Sequence, residues 1–184
     1  NLPLDLEGID CSGVIFALDF LRSVNLGEQV HVGKRTAVIG GGNAAMDSAR
    51  AALRLGSDQV TIVYRRSRAE MPALDEEIRL AEEEGIRFQM LAAPIRMIGD
   101  DQGAVVGMEC LRMRLGEPDA SGRRRPEPIE GSNFRVEADT VIVAIGQTAD
   151  LEGLPLGSGG TIPCDDSLAT GIPGVFAGGD AVLG

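Results

Sequence analysis

Little cysteine, almost no histidine and a shortage of cations set the first limits on this chain. Its three cysteines, Cys11, Cys110 and Cys164, lie far apart, so no CxxC pair exists for a redox disulfide, an iron-sulfur cluster or zinc, and they read as buried thiols. The single histidine, His31, has no partner pattern around it and reads as a surface or capping residue. Neither G-x-S-x-G nor HExxH occurs, which removes two hydrolase classes. No apolar run approaches the roughly 20 residues of a membrane span, and the N-terminus lacks the basic and apolar regions of a signal peptide, so the default expectation is a cytoplasmic protein. Seventeen Lys and Arg stand against 28 Asp and Glu, a net charge of −11. That balance argues against a nucleic-acid or anionic-membrane partner, although arginines do concentrate at 65–68 and 123–125.

What is present is organised around RTAVIGGGNAAMDSARAALRLGSDQVTIVYRR, residues 35–66. Thr36–Ile39 is a short apolar strand that runs into Gly40, Gly41 and Gly42. Asn43 opens a helix in which Ala45, Ala49, Ala52 and Leu53 form one stripe while Asp47, Arg50 and Arg54 lie off it. Gly56 stops that helix, and Val60–Tyr64 follows with the β-branched composition of a buried parallel strand. The whole reads as a βαβ unit.

Within it, Gly40, Gly42 and Ala45 have the spacing G-x-G-x-x-A of a dinucleotide-binding turn. Gly40 would permit the tight turn, Gly42 the approach of backbone to a pyrophosphate, and Ala45 the close packing of helix on strand. The N–H groups of the first helical turn and the helix dipole would hold the phosphates. About 20 residues further on, where a carboxylate would meet the ribose 2′-hydroxyl of NAD, the chain has Tyr64, Arg65 and Arg66, with Arg68 close behind. Guanidinium groups match a phosphate in charge and geometry, which points to the 2′-phosphate of NADP. The alternative is that these arginines are merely solvated at a strand end.

The rest of the chain falls into place around this unit. Val14, Ala17, Leu18 and Leu21 predict a connector helix between Ser12 and Ser23. A loop containing Pro72 leads to a helix over about Leu74–Glu84 with Leu74, Ile78 and Ala81 on one face, ended by Gly85, and Ile86–Leu91 is a third strand. Ile95–Ile98, Ala104–Leu115 and Phe134–Val136 read as strands joined by turns, an antiparallel meander added to the parallel sheet. LGEPDASGRRRPEPIEGSN is a polar loop carrying Arg123, Arg124 and Arg125, as consistent with a tolerated excursion as with a docking surface. Thr140–Ile145 is a buried parallel strand ending in Ala144, Ile145 and Gly146, where a ligand could approach. Gly160–Asp165 and Val175–Ala177 read as short strands, the latter running into Gly178, Gly179 and Asp180. Since the chain begins at Asn1 and ends four residues after that motif, we read it as part of a longer polypeptide. Its 184 residues suffice for one good core or two small lobes.

Together, GGGNAAMDSAR, VYRRSRAEMPA, LGEPDASGRRRP, VIVAIGQ and TGIPGVFAGGD make the chain similar to the small (beta) subunit of NADPH-dependent glutamate synthase and related flavoprotein oxidoreductases. Gly171 and Cys164 depart from the family's usual residues without touching the phosphate contacts. The resemblance implies an NADPH domain inserted into an FAD domain: residues 1–34 as connector from the FAD domain, 35–146 as the NADPH-binding domain, and 147–184 as a partial C-terminal FAD-binding segment. The fold class expected is α/β, a Rossmann-like parallel sheet with helices, an added antiparallel meander and a partial FAD-domain tail. The resemblance places Gly40, Gly41, Gly42, Asn43, Ala44 and Ala45 at the NADPH pyrophosphate turn, Arg65 and Arg66 at the 2′-phosphate, Ala144, Ile145 and Gly146 near the bound cofactor, and Gly179 and Asp180 at FAD. No metal ligand and no acid or base side chain is expected, since the cofactors carry the hydride chemistry.

The function implied is hydride transfer from NADPH to FAD and electron delivery to an iron-sulfur domain or large subunit. The family's upstream G-x-G-x-x-G and cysteine-rich iron-sulfur region are not in this sequence, so the chain alone is expected to lack flavin and turnover. Two alternatives stand beside this reading. One is an NADPH-linked electron-transfer subunit serving ferredoxin, a metal ion or a hydrogenase-type partner. The other is a nucleotide-sensing or assembly module without turnover.

Overall fold

Strands that are apolar at nearly every position must be covered on both faces, and the architecture provides two covers. The computed structural model describes residues 6–119, 122–146, 157 and 161–183. It divides at Gly146 into two compact units, each described by itself.

The first unit is built on a five-stranded parallel sheet in the order β1-β9-β2-β3-β4. Its strands are β1 (Val14–Phe16), β2 (Arg35–Ile39), β3 (Gln59–Tyr64), β4 (Arg87–Met90) and β9 (Thr140–Val143). Helices α1 (Ala17–Asn25), α2 (Asn43–Arg54) and α3 (Asp75–Glu83) contribute Phe20, Met46, Ala49, Ala52, Ile78 and Ala81 to a core shared with Val38, Val60, Ile62 and Ile142 of the sheet. Alternate residues of the same strands point the other way: Ala37, Ile39, Val63, Val141 and Val143 pack with Ala92, Met97, Val105, Met108 and Cys110. Those partners belong to a second, antiparallel sheet of β5 (Ala92–Gly99), β6 (Val105–Pro118), β7 (Arg124–Pro128) and β8 (Phe134–Glu137). The layers are helices, parallel sheet and antiparallel sheet. Among the described residues, no helix is long and apolar enough to cross a membrane.

Four sequence expectations are corrected. The helix foreseen from Ser12 begins only at Ala17, because Val14–Phe16 pairs in parallel with Val141–Val143 as an edge strand. Leu74 is not on the buried face of α3 but precedes the helix with 63 % of its surface exposed. The long polar loop contains a strand, β7, which pairs with the far half of β6 through Met113↔Pro128 and Leu115↔Pro126. Its two prolines suit a strand at a sheet edge.

The fourth correction falls in the second unit. Neither expected short strand forms as such: Cys164 makes an isolated bridge with Thr170, and Phe176 one with Ala169. Gly160 lies outside the described residues. The Asp165 side chain accepts from the N–H groups of Ser167 and Ala169 and closes the intervening turn. These bonds hold its carboxyl below the ordinary carboxylate range, the Ser167 hydroxyl most of all. A short helix, α4 (Asp180–Leu183), follows.

Candidate cofactor-binding turn

Three strand ends meet at the glycine turn. Gly40 donates to the Val63 carbonyl at 3.1 Å, and Ala144 donates to Ile39 at 2.8 Å, so β2, β3 and β9 are tied together where β2 gives way to the turn. The three glycines then differ in what the fold asks of them. Gly40 has φ +145, and a Cβ there would stand 2.3 Å from the Ala144 carbonyl oxygen. At Gly41 a Cβ would lie 2.6 Å from the Tyr64 ring. Gly42 is extended, at φ −94 and ψ 177, and a Cβ would meet only Pro72 Cγ at 3.8 Å. Backbone and neighbours therefore require glycine at the first two positions, while at the third they leave open space.

That space faces polar groups without protein partners. Among the described residues, the amides of Gly41, Gly42, Asn43 and Ala44 meet no acceptor. No side chain caps α2 and no acidic residue stands in its first turn, so the positive end of its dipole is uncompensated. Ala45 is fully buried at the start of α2, as a helix packed closely on the sheet requires. Four free N–H groups at the end of a 12-residue helix form an anion cradle.

The segment after β3 walls this cradle. Tyr64 lays its ring on Gly41 and donates its hydroxyl to the Glu70 carbonyl at 2.7 Å. Ala73 donates to Gly41 at 3.1 Å, and Leu74 donates to Asn43 Oδ1 at 3.0 Å. Asn43, assigned by resemblance to the pyrophosphate, thus also fixes the start of α3 against the start of α2. Sequence reasoning missed Tyr64 and residues 70–74 as parts of the turn. A lone aromatic at a strand end carries no signal for them.

The neighbouring arginines have opposite surroundings. Arg65 is exposed and, among the described residues, makes no hydrogen bond or ion pair. Arg66 has only 7 % of its side chain exposed and binds Asp119 at 2.7 Å. Its Nε donates to the Arg124 carbonyl at 2.8 Å. Arg68 is ion-paired with Glu82.

Ala144, Ile145 and Gly146 continue from β9 beside the turn, with Gly146 exposed at φ +118. In the second unit, Gly179 has φ +63 and accepts from Val182. The side chain of Asp180 lies outside the described ones. Among the described residues, no group of His, Cys, Asp and Glu could hold a metal. Burial, with a lesser push from Glu109, raises the Cys110 thiol to about 12, which keeps it protonated and unreactive.

Comparison with known proteins fits this geometry. A family model for pyridine nucleotide-disulphide oxidoreductases matches residues 1–184. An NADP(+)-dependent formate dehydrogenase subunit beta from Moorella thermoacetica is 52 % identical, over 94 % of this chain and 25 % of the relative. An NADPH-Fe(3+) oxidoreductase subunit beta from Geobacter sulfurreducens is 45 % identical, over 99 % of this chain and 32 % of the relative. The glutamate synthase [NADPH] small chain of Escherichia coli is 38 % identical, over 97 % of this chain and 42 % of the relative. The chain therefore spans less than half the length of each of these relatives. Among solved structures, Mycobacterium tuberculosis FprA in complex with NADPH is similar at TM-score 0.77 and 21 % identity, covering 100 % of this chain and 56 % of that one. Thioredoxin reductase from T. acidophilum is similar at TM-score 0.71 and 21 % identity, covering 98 % and 54 %. At that identity the likeness is one of fold.

Proposed function

Because the chain belongs to the pyridine nucleotide-disulphide oxidoreductase family, we propose that it carries the NADPH site of a flavoprotein oxidoreductase. The observation that carries this is Gly42. It is a glycine that its own fold does not need, set beside four amides with no acceptor. A pyrophosphate accounts for both features, since it would fill the space a side chain would take and accept from those amides.

In this reading the amides of Gly41–Ala44 hold the pyrophosphate, Gly40 and Ala45 set the turn and helix around it, and Arg65 and Arg66 mark the 2′-phosphate end. Ala144, Ile145 and Gly146 border the cofactor on the side of β9. The first unit, up to Gly146, is the nucleotide domain, with β1 and α1 built into its sheet and core instead of forming a connector, and 147–184 belong to an FAD domain in which Gly179 and Asp180 meet the flavin nucleotide. NADPH held by these residues would supply a hydride for the flavin, and the reading carries the electrons on to an iron-sulfur domain or large subunit. The chain's own residues bind and orient, and none acts as acid or base.

Relatives named for formate dehydrogenase and for Fe(3+) reduction stand at 52 % and 45 % identity, and one named for a glutamate synthase [NADPH] small chain stands at 44 %. What these names share, an NADPH-linked oxidoreductase subunit, supports the reading, and the final electron acceptor is left open between them. Isothermal titration of the chain with NADPH tests the core of the proposal. One site per chain is expected, with weaker binding of NADH, and absence of NADPH binding would overturn it.

A further inference from the structure

We propose that the two arginines at the end of β3 divide their work: Arg65 discriminates for the 2′-phosphate, while Arg66 is a positioning residue whose charge is taken up by the β6–β7 hairpin through Asp119. The proposal rests on the reading that the 2′-phosphate of NADPH lies at this strand end.

Arg66 is built into the protein at both its backbone and its side chain. Its carbonyl accepts from Leu91 at 3.1 Å, and the Leu91 carbonyl accepts from Met113 at 2.8 Å, so the strand end is bonded to the β4–β5 junction and through it to β6. From the other side its guanidinium reaches the Arg124 carbonyl and the Asp119 carboxylate. Arg124 folds its own guanidinium back onto the Leu115 and Gly116 carbonyls, which closes the hairpin that holds Arg66. A nearly buried guanidinium with a carboxylate 2.7 Å away presents little net charge to a third group, because the two fields cancel beyond a few ångströms. Arg65, the preceding residue in the same bend after β3, has the opposite surroundings. It is exposed and has no partner among the described residues, so its charge acts undiminished.

The test uses Arg65→Ala, Arg66→Ala and Asp119→Asn in the 184-residue chain, with NADPH and NADH affinities from calorimetry at low and high salt and melting temperatures from circular dichroism. Arg65→Ala is expected to cut the NADPH preference by about tenfold or more, the worth of a charge-assisted bond, with melting unchanged. Arg66→Ala is expected to lower the melting temperature and change the preference by less than about threefold. Asp119→Asn keeps an acceptor oxygen for Arg66 but removes the opposing charge. It should raise the preference for NADPH, a gain erased by salt that loss of structure alone does not produce. Should Arg66→Ala fail to fold, the other two variants decide. Equal loss of preference in Arg66→Ala and Arg65→Ala, or a lowered preference in Asp119→Asn, would overturn the division. A parent chain without any preference for NADPH would overturn the cofactor reading itself, before any substitution is made.

Discussion

At the scale of single residues, three consecutive glycines serve two purposes. Gly40 and Gly41 are required by the protein, since a Cβ at either would enter the Ala144 carbonyl or the Tyr64 ring, whereas the fold leaves space at Gly42, which the proposed function assigns to a bound pyrophosphate. Gly41→Ala is therefore expected to destabilise the chain by about 1–3 kcal/mol, as overpacking does, measured by urea denaturation. Gly42→Ala should change stability by less than about 1 kcal/mol, because the freedom lost by the unfolded chain and the poorer N-cap that Ala gives α2 oppose each other. The fingerprint spacing was legible in the sequence, but this difference was not: it depends on Tyr64 and Ala144, which come from other strands. Arg66 is a similar case. Next to Arg65 it looks like a second phosphate ligand, and only the folding of Asp119 and Arg124 onto it gives it a different environment.

At the scale of elements, the βαβ unit was read nearly to the residue because each of its parts has an unbroken local signal: an apolar run, a glycine turn, an alanine stripe. Elements without one were misread. The three-residue β1 is too short to show a period, and its Val14 coincides with the helical pattern of α1. The β7 strand, RRPEP, lacks any strand composition and exists only because β6 is long enough to pair with it. A cross-strand clamp of this kind has a measurable pH signature. The carboxyl of Asp139, just before β9, accepts from both the guanidinium and the backbone N–H of Arg35 at the start of β2. Those bonds, the guanidinium's first, hold its pKa below the ordinary carboxylate range. The folded chain thus takes up this proton less readily than the unfolded one. The stability contributed is fully present above the unfolded value of about 3.9 and is lost as pH falls through the folded value. Asp139→Asn should melt below the parent at pH 7, and the gap should narrow on acidification toward pH 3. A gap independent of pH would mean that the carboxylate contributes nothing through its charge.

At the scale of the whole molecule, the two-sided cover of the parallel sheet was only half foreseen. Apolar strands and helices announced one layer, but that the meander forms a separate sheet stacked on the other face emerges only from pairing between distant residues. The glycine turn lies where three strands of this packed core end, so occupancy of the site should be felt by the entire first unit. NADPH at 100 times its dissociation constant should add about 2.7 kcal/mol of stability, a rise in melting temperature of roughly 5–10 °C for a chain of this size, with a smaller rise from NADH at equal concentration. The most direct test of the central claim compares NADPH binding by the parent and by Gly42→Val, with melting recorded for both. The account predicts that the parent binds NADPH and that the variant, with a poorer N-cap for α2, melts within about 4 °C of it yet shows no heat of binding. A variant that is folded and binds NADPH as tightly as the parent would contradict it.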